Sequence, residues 1–183
     1  MFVVHNDARA GVRLLAAGAT SAFAGGPRVV DRLDAPAQAI EAAHRRLGEG
    51  GPEADRPAAE WLLDNYYIVE RAVRLVREEF PPAFERHLPS SAAGDVSGLP
   101  VVYALAREIV TPSPQHVEVE AIARLVEEFQ TVRPLSMAEA WALPVLLRIV
   151  LIESLADAVA IELPIEGLIA RARSRSPATQ RVR

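Results

Sequence analysis

The chain contains no cysteine and no lysine. The first absence excludes disulfides, thiolate metal sites and a Cys nucleophile, and it fits a reducing cytoplasm. The second makes all twenty basic residues Arg, a genome bias, since both cations serve equally well on a solvated surface. Long apolar runs are also lacking. The longest, Ala140 to Ile152, is interrupted by Arg148 and falls short of the ~20 residues that cross a bilayer. Asp7, Arg9 and Arg13 break any signal-peptide core between Met1 and Phe23. No GxSxG, Walker A or GxGxxG pattern occurs, and Gly25-Gly26 and Gly50-Gly51 lack the strand-to-helix setting of a phosphate loop. His5, His44, His87 and His116 are scattered, without the spacing of a zinc site. No stretch alternates long enough to argue for a sheet.

What remains is one domain's worth of chain. Its 183 residues are 50% hydrophobic and 24% charged, a globular balance, and the net charge of −4 gives no global field for nucleic acid. Proline and glycine mark out helices. Asp34 and Pro36 open one as N-cap and first-turn residue, and Gly48 closes it. Pro57 opens a long one that must end before Pro81-Pro82. In it Leu62, Tyr66, Val69, Val73, Val76 and Phe80 recur at helical steps. Trp61, Asn65, Ile68, Ala72 and Leu75 form a second line beside them, so the expected buried face is broad. Leu99 to Val110 reads as a shorter helix, and Ser113 is placed to cap the next. The last long helix starts at the capping box Ser136-Met137-Ala138-Glu139 and passes Pro144, with Pro164 as its outer limit. The expected fold is all-α, a bundle of antiparallel hairpins with about five to six helices and no sheet. Residues 1–34 give no clear reading, 35–162 form the helical domain, and 163–183 are expected to be a basic, mobile tail.

The polar residues read as structural. Arg148 sits among apolar neighbours, so its guanidinium needs an acceptor from another helix, with Glu60, Asp64 and Glu108 as candidates. A clasp that fixes register is favoured over a ligand site, and Arg148→Ala is then expected to cost ~3–5 kcal/mol. Asn65, set on the apolar face beside the exposed Asp64, is given a packing role. Trp61 and Trp141 could stack on a sugar, but both lie on apolar faces and core packing is expected. Glu60 and Asp64 share one exposed face with nothing to separate their acidities, so they do not make a glycosidase pair. Nothing visibly activates Tyr66, Tyr67 or Tyr103 as acceptors. No catalytic residue, cofactor or metal is assigned.

Three blocks carry a family resemblance. They are AAEWLLDNYYIVE (Ala58–Glu70), LPVVYALAREIV (Leu99–Val110) and FQTVRPLSMAEAWALPVLLRIVLIESL (Phe129–Leu155), with REEFPPAFERHLP (Arg77–Pro89) linking the first two. Their order and wording resemble the N-terminal helical region of bacterial cyclic β-1,2-glucan synthases. Those are large membrane glycosyltransferases that polymerise glucose from UDP-glucose and also carry a phosphorylase-like domain. The resemblance covers residues 58–155 and implies membership of that glucan-synthesising system. It transfers no catalytic residue, because the matching part lies ahead of the family's catalytic domains. The chain is therefore expected to be inactive alone and to act as a scaffold or docking domain. Its partners would be the membrane-bound transferase parts, and its place the cytoplasm, at the inner face of the bacterial inner membrane. The alternative is an independent helical interaction module.

Overall fold

A computed structural model describes residues 4–23, 28–50, 53–92 and 94–163; the expected tail, residues 164–183, lies outside them. The helices of ten or more residues are α1 (Val4–Ala17), α3 (Asp34–Gly48), α4 (Pro57–Glu79), α6 (Val101–Val110), α7 (Val119–Gln130) and α8 (Met137–Glu162), with short helices α2 (Val29–Arg32) and α5 (Pro82–Glu85) between them. The all-α class expected from the sequence holds, with one addition where no sheet was expected. Strands β1 (Ala19–Phe23) and β2 (Pro89–Ser91) pair antiparallel, Ala19 opposite Ser91 and Phe23 opposite Pro89, in a two-stranded ribbon with an irregular register. Strands this short, with Ala-Thr-Ser-Ala in one and Pro-Ser-Ser in the other, carry no period-two signal.

Helix α6 is the centre of the core. Its run Val101 to Ala106 is buried without interruption, as are Ile109 and Val110. It packs on α8 on one side and on α1 and α7 on the other, while α8 also rests on α3 and α4. The α3–α4 hairpin is antiparallel, since Asp34 at the start of α3 pairs with Arg77 near the end of α4 at 2.8 Å. Helix α4 also runs antiparallel to α8: Arg56, before its first turn, donates to the carbonyl of Glu162 at 2.6 Å, and Glu79 at its end meets Arg148. Residues of α1 and of 29–33 belong to the same core. Val12, Ala16, Val29 and Leu33 are buried, and α1 crosses α6 closely at Gly11, where an added Cβ would come within 2.7 Å of the Glu108 carboxylate.

Several helix starts differ in detail from expectation. Leu33 takes the N-cap position of α3, and Asp34 becomes its first residue, free to pair with Arg77. Helix α7 begins at Val119 after Glu118 rather than being capped by Ser113. The burial of α4 is narrower than its two apolar lines suggest. Leu62, Val69, Val73, Val76 and Phe80 are buried, whereas Trp61 and Ile68 of the second line are about half exposed. Apolar periodicity says which faces of a helix resemble one another, not how many neighbours cover them.

Candidate functional site

At the start of α8, Ser136 and Glu139 close a reciprocal capping box: the Ser136 hydroxyl accepts from the Glu139 amide, and the Glu139 carboxylate accepts from the Ser136 amide at 2.9 Å. That carboxylate is fully buried and receives two further bonds from the Arg133 guanidinium, at 2.9 and 3.0 Å, and one from the Ser136 hydroxyl at 2.8 Å. A buried carboxylate needs such a set of donors, and the fork of Arg matches it in geometry.

A second polar cluster lies between α2, α6 and α8. Tyr103 is fully buried, and its phenol donates to Glu153 at 2.8 Å. Arg32 donates to the Tyr103 oxygen at 3.0 Å and to Glu153 at 3.2 Å, and its guanidinium lies 5.5 Å from the ring centre. Burial, then the Glu153 charge, pushes the Tyr103 phenol far above its ordinary value, so it stays protonated and cannot act as a base. Nearby, Arg107 donates to Asp95 at 2.6 Å and by that bond holds the Asp95 carboxyl below the usual range. Asp95 and Arg107, with Glu108 and Thr111, line a cleft of about 340 Å³ between α1, α6 and the 3₁₀ turn Gly94–Val96. Its one cation already has an anion, so the cleft offers no unpaired charge to a ligand through Arg107.

Glu85 is, after Glu139, the second buried acid among the described residues. One oxygen accepts the Val29 amide at 2.5 Å, and the other is buried without a hydrogen-bond partner among the described residues. Desolvation, opposed by the Val29 amide, raises its pKa above the ordinary carboxylate value.

The residues singled out in the sequence do not come together. Arg148 does reach across to another helix, but its partner is Glu79, not Glu60, Asp64 or Glu108, and the pair is at the surface with side-chain exposures of 36% and 43%. The stem of a long side chain can lie along apolar neighbours while its head stays wet. The expected cost of Arg148→Ala falls accordingly, from the ~3–5 kcal/mol of a buried pair to under ~1 kcal/mol. Asn65 donates to the carbonyl of Trp61 at 2.8 Å, within its own helix. Glu60 and Asp64 are exposed on a shallow depression of about 310 Å³ with Asp55 and Arg56. Glu108 lies against Gly11. Trp61 and Trp141 are corrected outright: they are 48% and 73% exposed, not core residues. Tyr66 stacks on His44 with ring centres 4.1 Å apart. The sequence reading missed the roles of Tyr103, Glu153, Arg32, Arg133 and Glu85. An acid inside an apolar run, as Glu153 is in LIESL, was the available signal. Among the described residues no three His, Asp or Glu side chains converge as a metal site requires, and no helix is long and apolar enough to cross a membrane.

No protein-family model matches the chain. Over 100 residues, 54% of its length, it is 48% identical to the cyclic beta-(1,2)-glucan synthase NdvB of Rhizobium meliloti (strain 1021). It is related in sequence to that synthase. The chain spans only 4% of the relative's length, so the kinship concerns a small part of a much longer protein.

Proposed function

We propose that the chain is a non-catalytic helical scaffold or docking domain of a cyclic β-1,2-glucan synthase system, working beside transferase parts that it does not itself contain. The observation that carries this reading is the 48% identity over 100 residues to the glucan synthase. The character of the polar groups supports the non-catalytic part. Glu139, Glu153 and Asp95 are each taken up by an Arg, Tyr103 is held protonated, and Glu60 and Asp64 stand exposed at the surface. Such groups fix packing and have no reason to move protons. The expected place is the cytoplasmic face of the inner membrane, where the transferase parts would be met.

The test is binding to membranes that hold a cyclic β-1,2-glucan synthase, together with an assay of glucose release or transfer from UDP-glucose by the isolated chain. Retention on those membranes, and not on membranes lacking the synthase, with no turnover by the chain alone, is the expected result. Turnover by the isolated chain would refute the non-catalytic assignment. Failure to bind would instead favour an independent interaction module.

A further inference from the structure

Two stretches far apart in sequence meet along one seam. At one end of it β1 pairs with β2 in irregular register. At the other, the first amide of α2 donates to the last residue of α5, Val29 N to Glu85 Oε1 at 2.5 Å. Helix α2 has four residues, too few to be stable unaided, so it exists only while its contacts hold it. Those contacts are few. Val29 and Leu33 are buried, and Arg32 reaches Tyr103 and Glu153. Glu85 takes up the start of the helix, where the N-cap residue Arg28 supplies no side-chain bond.

A carboxylate is a costly anchor at that place. Glu85 is 3% exposed, and its second oxygen is buried with no hydrogen-bond partner among the described residues. Ionised, it holds a charge out of water with half its acceptor capacity unused. Two charged residues of the α2 segment act on it and oppose one another: Arg28 favours the charge and Asp31 disfavours it. Arg28 is moreover engaged by Asp31 at the surface, at 2.6 and 3.0 Å, so it is no dedicated counter-ion. On the α5 side, the exposed Arg86 and His87 turn back to the carbonyls of Pro82 and Ala83. The neutral acid avoids the charge penalty and keeps the Val29 bond, because its carbonyl oxygen still accepts. Once α2 lifts, water reaches the carboxyl and ionisation costs little.

We propose that Glu85 is a proton-operated latch on α2: its neutral carboxyl holds the helix down, and ionisation lets α2 lift as a unit from α5. This does not depend on the glucan-synthase reading. Because one turn joins Val29 to Arg32, lifting the start also loosens Arg32 from Tyr103 and Glu153. Linkage sets the sign. Burial in the closed seam raises the Glu85 pKa, although the Val29 amide works against it; in the open form the group is solvated and ordinary. Below the ordinary Glu value both forms keep the proton, and pH biases neither. In the interval above it only the open form ionises, so opening becomes up to about tenfold more frequent per pH unit. Beyond the closed-form value both are ionised and the gain levels off.

The test is amide hydrogen exchange by NMR on the full chain, expressed as protection factors so that the intrinsic pH dependence of exchange is removed. From about pH 4 to 7, protection at Val29 and Leu33 should fall together, by up to about tenfold per pH unit within the titration interval. At low urea concentrations their exchange should barely respond to denaturant, the mark of a local opening, whereas Ile149 and Val150 in the buried part of α8 should follow global unfolding. In Glu85→Gln, whose side-chain carbonyl still accepts from Val29, protection at both positions should be nearly independent of pH. His87 is retained in that variant, so a histidine effect would persist there. The Glu85 carboxyl carbon shift, followed in the parent chain, should titrate above the ordinary Glu value. Parent protection at Val29 that ignores pH overturns the proposal, as does an equal fall in Glu85→Gln or a carboxyl that titrates at or below the ordinary value. A loss confined to Val29 with Leu33 unmoved, or a denaturant response at both equal to that of α8, overturns the lifting of α2 as a unit.

Discussion

Replacing Glu139 by Ala removes a fully buried carboxylate that accepts two bonds from Arg133, one from the Ser136 amide and one from the Ser136 hydroxyl. Breaking a buried ion pair by deleting one partner costs ~3–5 kcal/mol, because the other charge is left uncompensated. Here the Arg133 side chain keeps a quarter of its surface in water, which places the loss near the lower end, about 3 kcal/mol including the ~1 kcal/mol of the lost cap. For a chain of this size that corresponds to a melting temperature lower by ~6–12 °C. Ser136→Ala, which keeps the ion pair, should lose only about 1 kcal/mol. Glu139→Gln, which keeps the shape but not the charge, should fall between the two. Urea unfolding followed by circular dichroism, with calorimetry in parallel, measures all three. If Glu139→Ala stays within 1 kcal/mol of the parent at an unchanged denaturant slope, the claim that this cluster anchors α8 is wrong.

Tyr103→Phe should cost about 1–2 kcal/mol in the same assay, since it deletes a buried hydrogen bond and leaves Glu153 with Arg32 alone; a neutral result would mean water had replaced the phenol. Arg148→Ala should cost under ~1 kcal/mol and lose even that in high salt, as a surface pair does; a loss of several kcal/mol would show that the pair is desolvated after all. For Glu85 the sign follows from its raised pKa. Over the interval above the ordinary Glu value the folded chain holds a proton that the unfolded chain has released, so this group lowers stability as pH rises through it. Glu85→Gln should therefore gain on the parent from acid toward neutral pH, and a difference that shrinks in that direction would contradict the burial argument.

Much of the helical layout was legible because proline and glycine act locally. Pro57 and the Pro81-Pro82 pair bound α4, Gly48 ends α3, and the Ser136–Glu139 box starts α8, all through backbone chemistry that needs no distant partner. The ribbon between 19–23 and 89–91 was not legible, since its pairing is set by where α1 and α6 bring the chain. The polar contacts divide along the same line. The capping box is four residues long and could be read directly. Glu79 as partner of Arg148, Arg32 as partner of Tyr103, and Val29 as donor to Glu85 depend on long-range packing. The two tryptophans misled for a related reason. An apolar line on a helix announces a face to be covered, and the sequence of one chain does not show that the cover can be missing from it.

The way α1 and α3 complete the core has a practical consequence for anyone dissecting such proteins. The recognisable family wording lies in residues 58–155, yet Val12, Val29, Leu33, Ile40 and Leu47, all outside it, are sealed against the centre of the fold. A gene fragment trimmed to the recognisable words would lose two walls of its own interior and leave the greasy run Val101–Ala106 facing solvent. Boundaries for expression or transplantation are better drawn around the sealed interior than around the stretch that alignment picks out.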